Sequence, residues 1–176
     1  MFKTIVTATL LLLALTFVGT ARADDTNPLG AQIDVGVPDG AAAGLVVRPQ
    51  DWLRLNASIT YNAIAPGVRG GITLDPIDFG IAPTMTAEAG FSGQGKVPGG
   101  KNTPDVGYDY INLHLGLEFG NRHTWRFFLH GGPTYIHLNT GNFQNTVGFP
   151  SGLIIGNPTA NVWFTPTVKL GFALFF

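Results

Sequence analysis

Between Trp52 and Asn62 the side chains change character at every step. Leu53, Leu55, Ala57, Ile59 and Tyr61 alternate with Arg54, Asn56, Ser58, Thr60 and Asn62. The pattern returns from Tyr110 to Gly120, where Ile111, Leu113, Leu115, Leu117 and Phe119 interleave with Asn112, His114, Gly116 and Glu118. It closes the chain, with Phe164, Pro166, Val168, Leu170, Phe172, Leu174 and Phe176 set against Thr165, Thr167, Lys169, Gly171 and Ala173. A period of two places one set of side chains on each face of a strand, so these stretches are strands with one apolar face. Eight such segments are expected, near 31–37, 41–48, 52–62, 67–75, 81–92, 108–119, 125–139 and 162–176. Turn-forming residues separate them, such as Pro38-Asp39-Gly40 and Pro49-Gln50-Asp51. Two connections, 93–107 and 140–161, are longer.

Eight strands with one apolar face describe two kinds of barrel, one apolar inside and water-soluble, the other apolar outside and embedded in lipid. Composition decides between them. Only 12% of the residues are Asp, Glu, Lys or Arg while 45% are hydrophobic, whereas soluble domains carry about 25% charged residues. The polar faces consist mainly of Asn, Ser, Thr and Gly, too thin a coat for a solvated exterior. Connections 2, 4 and 6, on the side where the chain starts, are short, and the two long ones lie on the opposite side, which is the loop asymmetry of membrane barrels. The expected fold is therefore all-β: a single eight-stranded antiparallel transmembrane barrel with short periplasmic turns and two longer extracellular loops.

Residues 1–23 read as a secretory signal peptide. Lys3 gives the positive start, Ile5 to Val18 a short apolar stretch, and Ala21-Arg22-Ala23 a small-residue cleavage site. The barrel domain then occupies 24–176. Loss of Lys3 and Arg22 leaves the remainder weakly acidic, with no basic patch for nucleic acid. The absence of cysteine removes disulfide scaffolds and thiolate metal sites.

The signal peptide, the eight alternating segments and the final strand Val168 to Phe176 resemble the small bacterial outer-membrane β-barrels of the OmpA/OmpX type. The resemblance implies export to the outer membrane of a Gram-negative bacterium, with outer-membrane lipid and lipopolysaccharide as surroundings. It also implies that the alternating carboxyl-terminal residues Phe172, Leu174 and Phe176 are the signal read by the outer-membrane assembly machinery.

Strand parity assigns side chains to the two faces. Arg54, Arg69, Glu88, His114, Glu118, Arg126, His130 and Lys169 fall inward, with Asp34, Arg48 and Asp75 near strand ends. Tyr61, Phe91, Tyr135 and Phe164 fall outward near one membrane interface, and Phe119 and Trp125 near the other, where aromatic rings are favoured. If the 120–124 turn is symmetric about Arg122, Glu118 faces Arg126 and His114 faces His130, with Phe119 opposite Trp125 and Leu117 opposite Phe127. Gly131-Gly132-Pro133 then marks a bulge, because apolar parity slips between Leu129 and Ile136.

An eight-stranded lumen is only wide enough for side chains to fill it, and diffusion pores need about 16–18 strands. The inward charges thus read as a polar network, and the function as structural or surface-interacting; the alternative is a narrow ion or small-solute channel or carrier. No cofactor is expected, and a facing histidine pair lacks a third metal ligand. An enzyme is not expected either. The nearest approach is His137-Leu138-Asn139-Thr140, similar to the His-x-Ser stretch of outer-membrane lipid A deacylases. There Asn139 stands in the nucleophile's place, and no Asp or Glu follows Glu118 in the sequence. The segments 93–107 and 140–161 are the places for a surface partner.

Overall fold

A computed structural model describes residues 27–77, 80–95, 106–139 and 162–176. Eight strands occur in chain order: β1 (Leu29–Gly36), β2 (Gly40–Gln50), β3 (Leu53–Tyr61), β4 (Pro66–Leu74), β5 (Ile81–Gly95), β6 (Val106–Phe119), β7 (Trp125–Asn139) and β8 (Val162–Phe175). Each pairs antiparallel with its sequence neighbours, and β8 pairs with β1 to close the barrel. The expected eight-stranded closed antiparallel fold is the observed one. The 1–23 segment and most of the two long connections lie outside the described residues.

The alternation sorts side chains with little ambiguity. In β6, Ile111, Leu113, Leu115 and Leu117 are exposed on the outer wall while Asn112, His114 and Glu118 are buried in the lumen. The barrel is therefore apolar outside and polar inside, the inverse of a water-soluble domain.

Closure is staggered. Following ladder partners from Gln32 leads through Gly44, Ser58, Arg69, Gly90, Tyr110 and Ile136 to Trp163. Gln32 itself pairs with Ala173. The difference between positions 173 and 163 is a stagger of ten residues. With eight strands this tilts each strand by about 40° from the barrel axis and leaves room for one layer of inward side chains from each wall.

Turns 37–39 and 62–65 sit at one end, called distal here, together with the carboxyl ends of β5 and β7. The turns 51–52 and 120–124 sit at the other, with Asp75 just beyond β4, the start of β1 and the end of β8, and this is the terminal end. At the 62–65 turn, the Asn62 side-chain oxygen accepts hydrogen bonds from the amides of Ile64 and Ala65, both 3.0 Å. These bonds hold Ala63 at a φ of 66°, a left-handed conformation that a non-glycine residue adopts only when locally fixed.

Two expectations need correction. The β6–β7 hairpin is offset by two residues, so that Glu118 pairs with Phe128, Phe119 with Phe127, Leu117 with Leu129 and Gly116 with His130. The cause lies in the turn, which is not symmetric about Arg122. The carbonyl of Asn121 accepts from the amides of both Thr124 (3.2 Å) and Trp125 (2.9 Å), and its side chain accepts from that of His123 (2.8 Å). That tight coil takes Trp125 out of the β6 ladder, and it pairs with Leu174 of β8 instead. There is also no bulge at Gly131-Gly132-Pro133, because the β7–β8 register runs without interruption from Trp125 to His137. Parity does not slip; Ile136 and Leu138 point inward with Thr134.

Candidate functional site

The lumen is the chemically distinctive part of the molecule, and it has three zones. In the terminal half, Arg54 of β3 reaches Glu118 of β6 in a buried ion pair. Glu118 also contacts His130 Nε2 at 3.1 Å, and the same nitrogen lies 3.2 Å from the Thr84 hydroxyl. The His130 ring stacks on Phe128 with 4.8 Å between centroids. Nearer the mouth, the Asp75 carboxylate lies 3.4 Å from Arg122 and 3.6 Å from Arg126. Arg122 additionally donates to the Asp75 backbone carbonyl at 2.9 Å. Arg48 donates to the Arg122 carbonyl and lies over the Phe175 ring, 3.9 Å from its centroid. Asp75 belongs to the turn beyond β4, and burial pushes its carboxyl above the ordinary carboxylate value, against the pull of Arg54 and Arg126.

In the middle, an imidazole, two hydroxyls and an amide form a hydrogen-bonded chain. His114 Nε2 lies 2.7 Å from the Thr167 hydroxyl, Thr167 lies 2.7 Å from Thr134, and Thr134 donates to Asn112 at 2.7 Å. Thr73 and Thr86 meet at 3.0 Å.

Toward the distal end, Arg69 gathers three carboxylates. It binds Asp34 through two nitrogens at 3.0 and 2.6 Å, pairs with Asp39, and lies 3.4 Å from Glu88. Lys169 pairs with the other oxygen of Glu88. Bidentate guanidinium–carboxylate geometry is the strong form of this interaction. It fixes β4 to β1, while Lys169 fixes β8 to β5.

Beyond Arg69 the lumen becomes apolar. Val106, Tyr108, Tyr110, Ile136 and Leu138 form a buried cluster, with Trp163 packed against it. Tyr108 donates to the Pro38 carbonyl at 2.6 Å and accepts from Asn62, joining this cluster to both described distal turns.

The structure thus places Arg54, Arg69, Glu88, His114, Glu118, Arg126, His130 and Lys169 inside the barrel, each almost fully buried. It joins Arg54 to Glu118 and Lys169 to Glu88, where parity alone had joined Glu118 to Arg126. The two histidines do not face each other. His130 stands opposite Gly116, and Gly132 packs against the His114 backbone. Among the described residues there is no group of three or more His, Cys, Asp or Glu side chains able to hold a metal ion.

On the outer wall, Tyr61, Phe91, Tyr135 and Phe164 lie exposed toward the distal end, with Tyr135 and Phe164 meeting edge-on at 5.2 Å. Trp125 stacks on Phe172 at 6.2 Å near the terminal end, and Phe119 lies 6.5 Å from Phe127. Leu174 and Phe176 are exposed beside them. The side chain of Asn139 lies outside the described residues. Sequence order had offered His137 no acid, yet Asp109 is its direct partner across the β6–β7 ladder.

The apolar distal cluster went unread because Ile136 and Leu138 look like outer-wall residues. Only the uninterrupted parity from Arg126 through His130 and Thr134 reveals them as lumen residues.

No family model and no curated protein matches the chain in sequence. Among solved structures, the N-terminal β-barrel domain of Pseudomonas aeruginosa OprF is similar. The match has a TM-score of 0.50 and 9% identity, and covers 85% of this chain and 98% of that one. At that identity the likeness concerns fold, and the fold is the closed eight-stranded antiparallel barrel of OmpA-like architecture.

Proposed function

We propose that this chain is a non-enzymatic outer-membrane β-barrel with a structural or surface-interaction role, its lumen filled by side chains. One observation carries the reading. Ion pairs join walls three strands apart, Arg54 to Glu118, Arg69 to Asp34 and Lys169 to Glu88, so side chains occupy the space a solute would need. The continuous apolar exterior, from Ile33 and Leu45 round to Leu115 and Leu170, supports a lipid surrounding, because such a surface in water would drive aggregation. The leader-like 1–23 segment supports export. Phe172, Leu174 and Phe176 on the last strand support recognition by the assembly machinery. Lipopolysaccharide is the expected neighbour of the outer wall, and the segments 93–107 and 140–161 are the candidate sites for a surface partner.

The test is conductance of the refolded barrel in a planar bilayer. Electrical silence is expected. Discrete, reproducible openings would instead favour a narrow channel using the charged lumen.

A further inference from the structure

Among the described residues, six arginine and lysine side chains are buried in the barrel. Five of them have a carboxylate partner, as Arg54 has Glu118 and Lys169 has Glu88. Arg48 of β2 is the exception. It is only 3% exposed, yet no acidic side chain among the described residues pairs with it. Asp75, an acid at the same end of the lumen, lies with Arg122 and Arg126 instead. A guanidinium shut away from water without a counter-charge is costly.

The surroundings of Arg48 leave one approach to it. Nη1 donates to the Arg122 carbonyl, and the Phe175 ring covers one face, 3.9 Å from the guanidinium carbon. What is left is the edge formed by Nε and Nη2, and neither nitrogen has a hydrogen-bond partner. That edge presents two parallel N–H bonds, the fork that matches two oxygens of one oxyanion. Its place is fixed by the backbone, because the Arg48 amide donates to the Pro28 carbonyl at 2.7 Å, beside the start of β1. The fork therefore stands at the terminal mouth. The strongest electrostatic neighbour of Arg48 is Arg54, whose Nε also lacks a partner although its Nη2 pairs with Glu118. A second donor on that side favours an anion with more than two oxygens over a carboxylate.

We infer that the Nε–Nη2 edge of Arg48 is a binding site for a phosphate oxyanion at the terminal mouth of the barrel. The phosphate is that of the free inorganic ion or of a phospholipid headgroup at the rim, since both present the same pair of oxygens to the fork. The free-ion form does not depend on the functional reading above, whereas the headgroup form rests on the membrane barrel.

The full chain, without its leader-like segment, is refolded in phosphate-free micelles of an uncharged detergent, and folding is confirmed by circular dichroism. Inorganic phosphate is then titrated calorimetrically, with ionic strength held constant by chloride. One saturable site is expected in the parent protein. Arg48→Lys keeps the charge and loses the fork, and is expected to weaken binding roughly ten- to hundredfold, the worth of one charge-assisted hydrogen bond. A parent protein with no saturable phosphate binding, or a folded Arg48→Lys that binds as tightly as the parent, would overturn the site. Should the variant fail to fold, urea unfolding of the parent protein decides. Phosphate should raise its midpoint above that in chloride of equal ionic strength, and identical midpoints would overturn the site. The titration is repeated in micelles doped with phosphatidylcholine, which supplies a phosphodiester without changing the net charge of the micelle. Suppression of phosphate binding there supports the site with a lipid headgroup as its occupant, and an unchanged isotherm supports it with the free ion.

Discussion

Gly116 sits directly across the β6–β7 ladder from His130, and a β-carbon at position 116 would lie 2.0 Å from the histidine ring. The ring has nowhere convenient to go. Phe128 stacks against it, and Glu118 and Thr84 engage its Nε2. Gly116→Ala is therefore expected to displace His130 and to destabilise the refolded barrel by about 1–3 kcal/mol, the usual cost of overpacking a filled interior. Gly116→Ala combined with His130→Ala should recover part of the loss. Urea unfolding followed by tryptophan fluorescence measures both, and a silent single variant would show that the ring is not confined.

Arg54 and Glu118 make a second coupled pair, buried on both sides. Removing one partner, as in Arg54→Met, leaves Glu118 charged in a closed interior and is expected to cost about 3–5 kcal/mol. Exchanging the charges, Arg54→Glu with Glu118→Arg, should be less damaging than either single reversal. A double-mutant cycle with no coupling between the two positions would refute the pairing.

Leu115 lies in the middle of the outer wall of β6 and is 70% exposed. Exposure of leucine at that level is sensible only if lipid covers it. Leu115→Arg is expected to reduce folding stability in vesicles by about 2–4 kcal/mol, the penalty for a cation near the bilayer midplane of a barrel. In a water-soluble barrel the same change would be close to neutral, so a negligible effect in vesicles would argue against a lipid-facing wall.

Asp75 supplies a pH prediction. Its carboxyl titrates above the ordinary value because it is buried, whereas in the unfolded chain it titrates near the ordinary value of about 3.9. Between those two points the folded barrel holds a proton that the unfolded chain has released. The contribution of Asp75 to stability therefore falls as pH rises through that window and stays lower above it. The unfolding free energy of the parent protein minus that of Asp75→Asn should decline from about pH 3.5 toward neutrality. A flat difference would show that the arginines around Asp75 fully offset its burial.

The architecture was legible because the alternation in β3, β6 and β8 states which residues face each solvent. Its strand count and closure follow from physics that acts residue by residue. The pairing of Glu118 was less legible, because a ladder register is set by the turn. The coil at Asn121–Trp125 depends on backbone hydrogen bonds that residue types alone do not declare. Ile136 and Leu138 misled for a related reason. An apolar side chain is equally at home in lipid and in a lumen, so its type does not say which way it points. Asp109 lay hidden from His137 because 28 positions of chain separate two residues that the β6–β7 ladder sets side by side.

The staggered closure makes the lumen charges the part of the wall that distinguishes one register from another. Sliding one strand by two residues past its neighbour keeps every face correct, and on the outer wall it merely exchanges Leu113 for Leu115, or Leu115 for Leu117. Lipid has no means of noticing that error. The interior does, because such a slip separates Glu118 from Arg54 or Glu88 from Lys169 and leaves charges stranded. The buried ion pairs thus single out one register of an otherwise repetitive wall, where the greasy exterior fits several equally well.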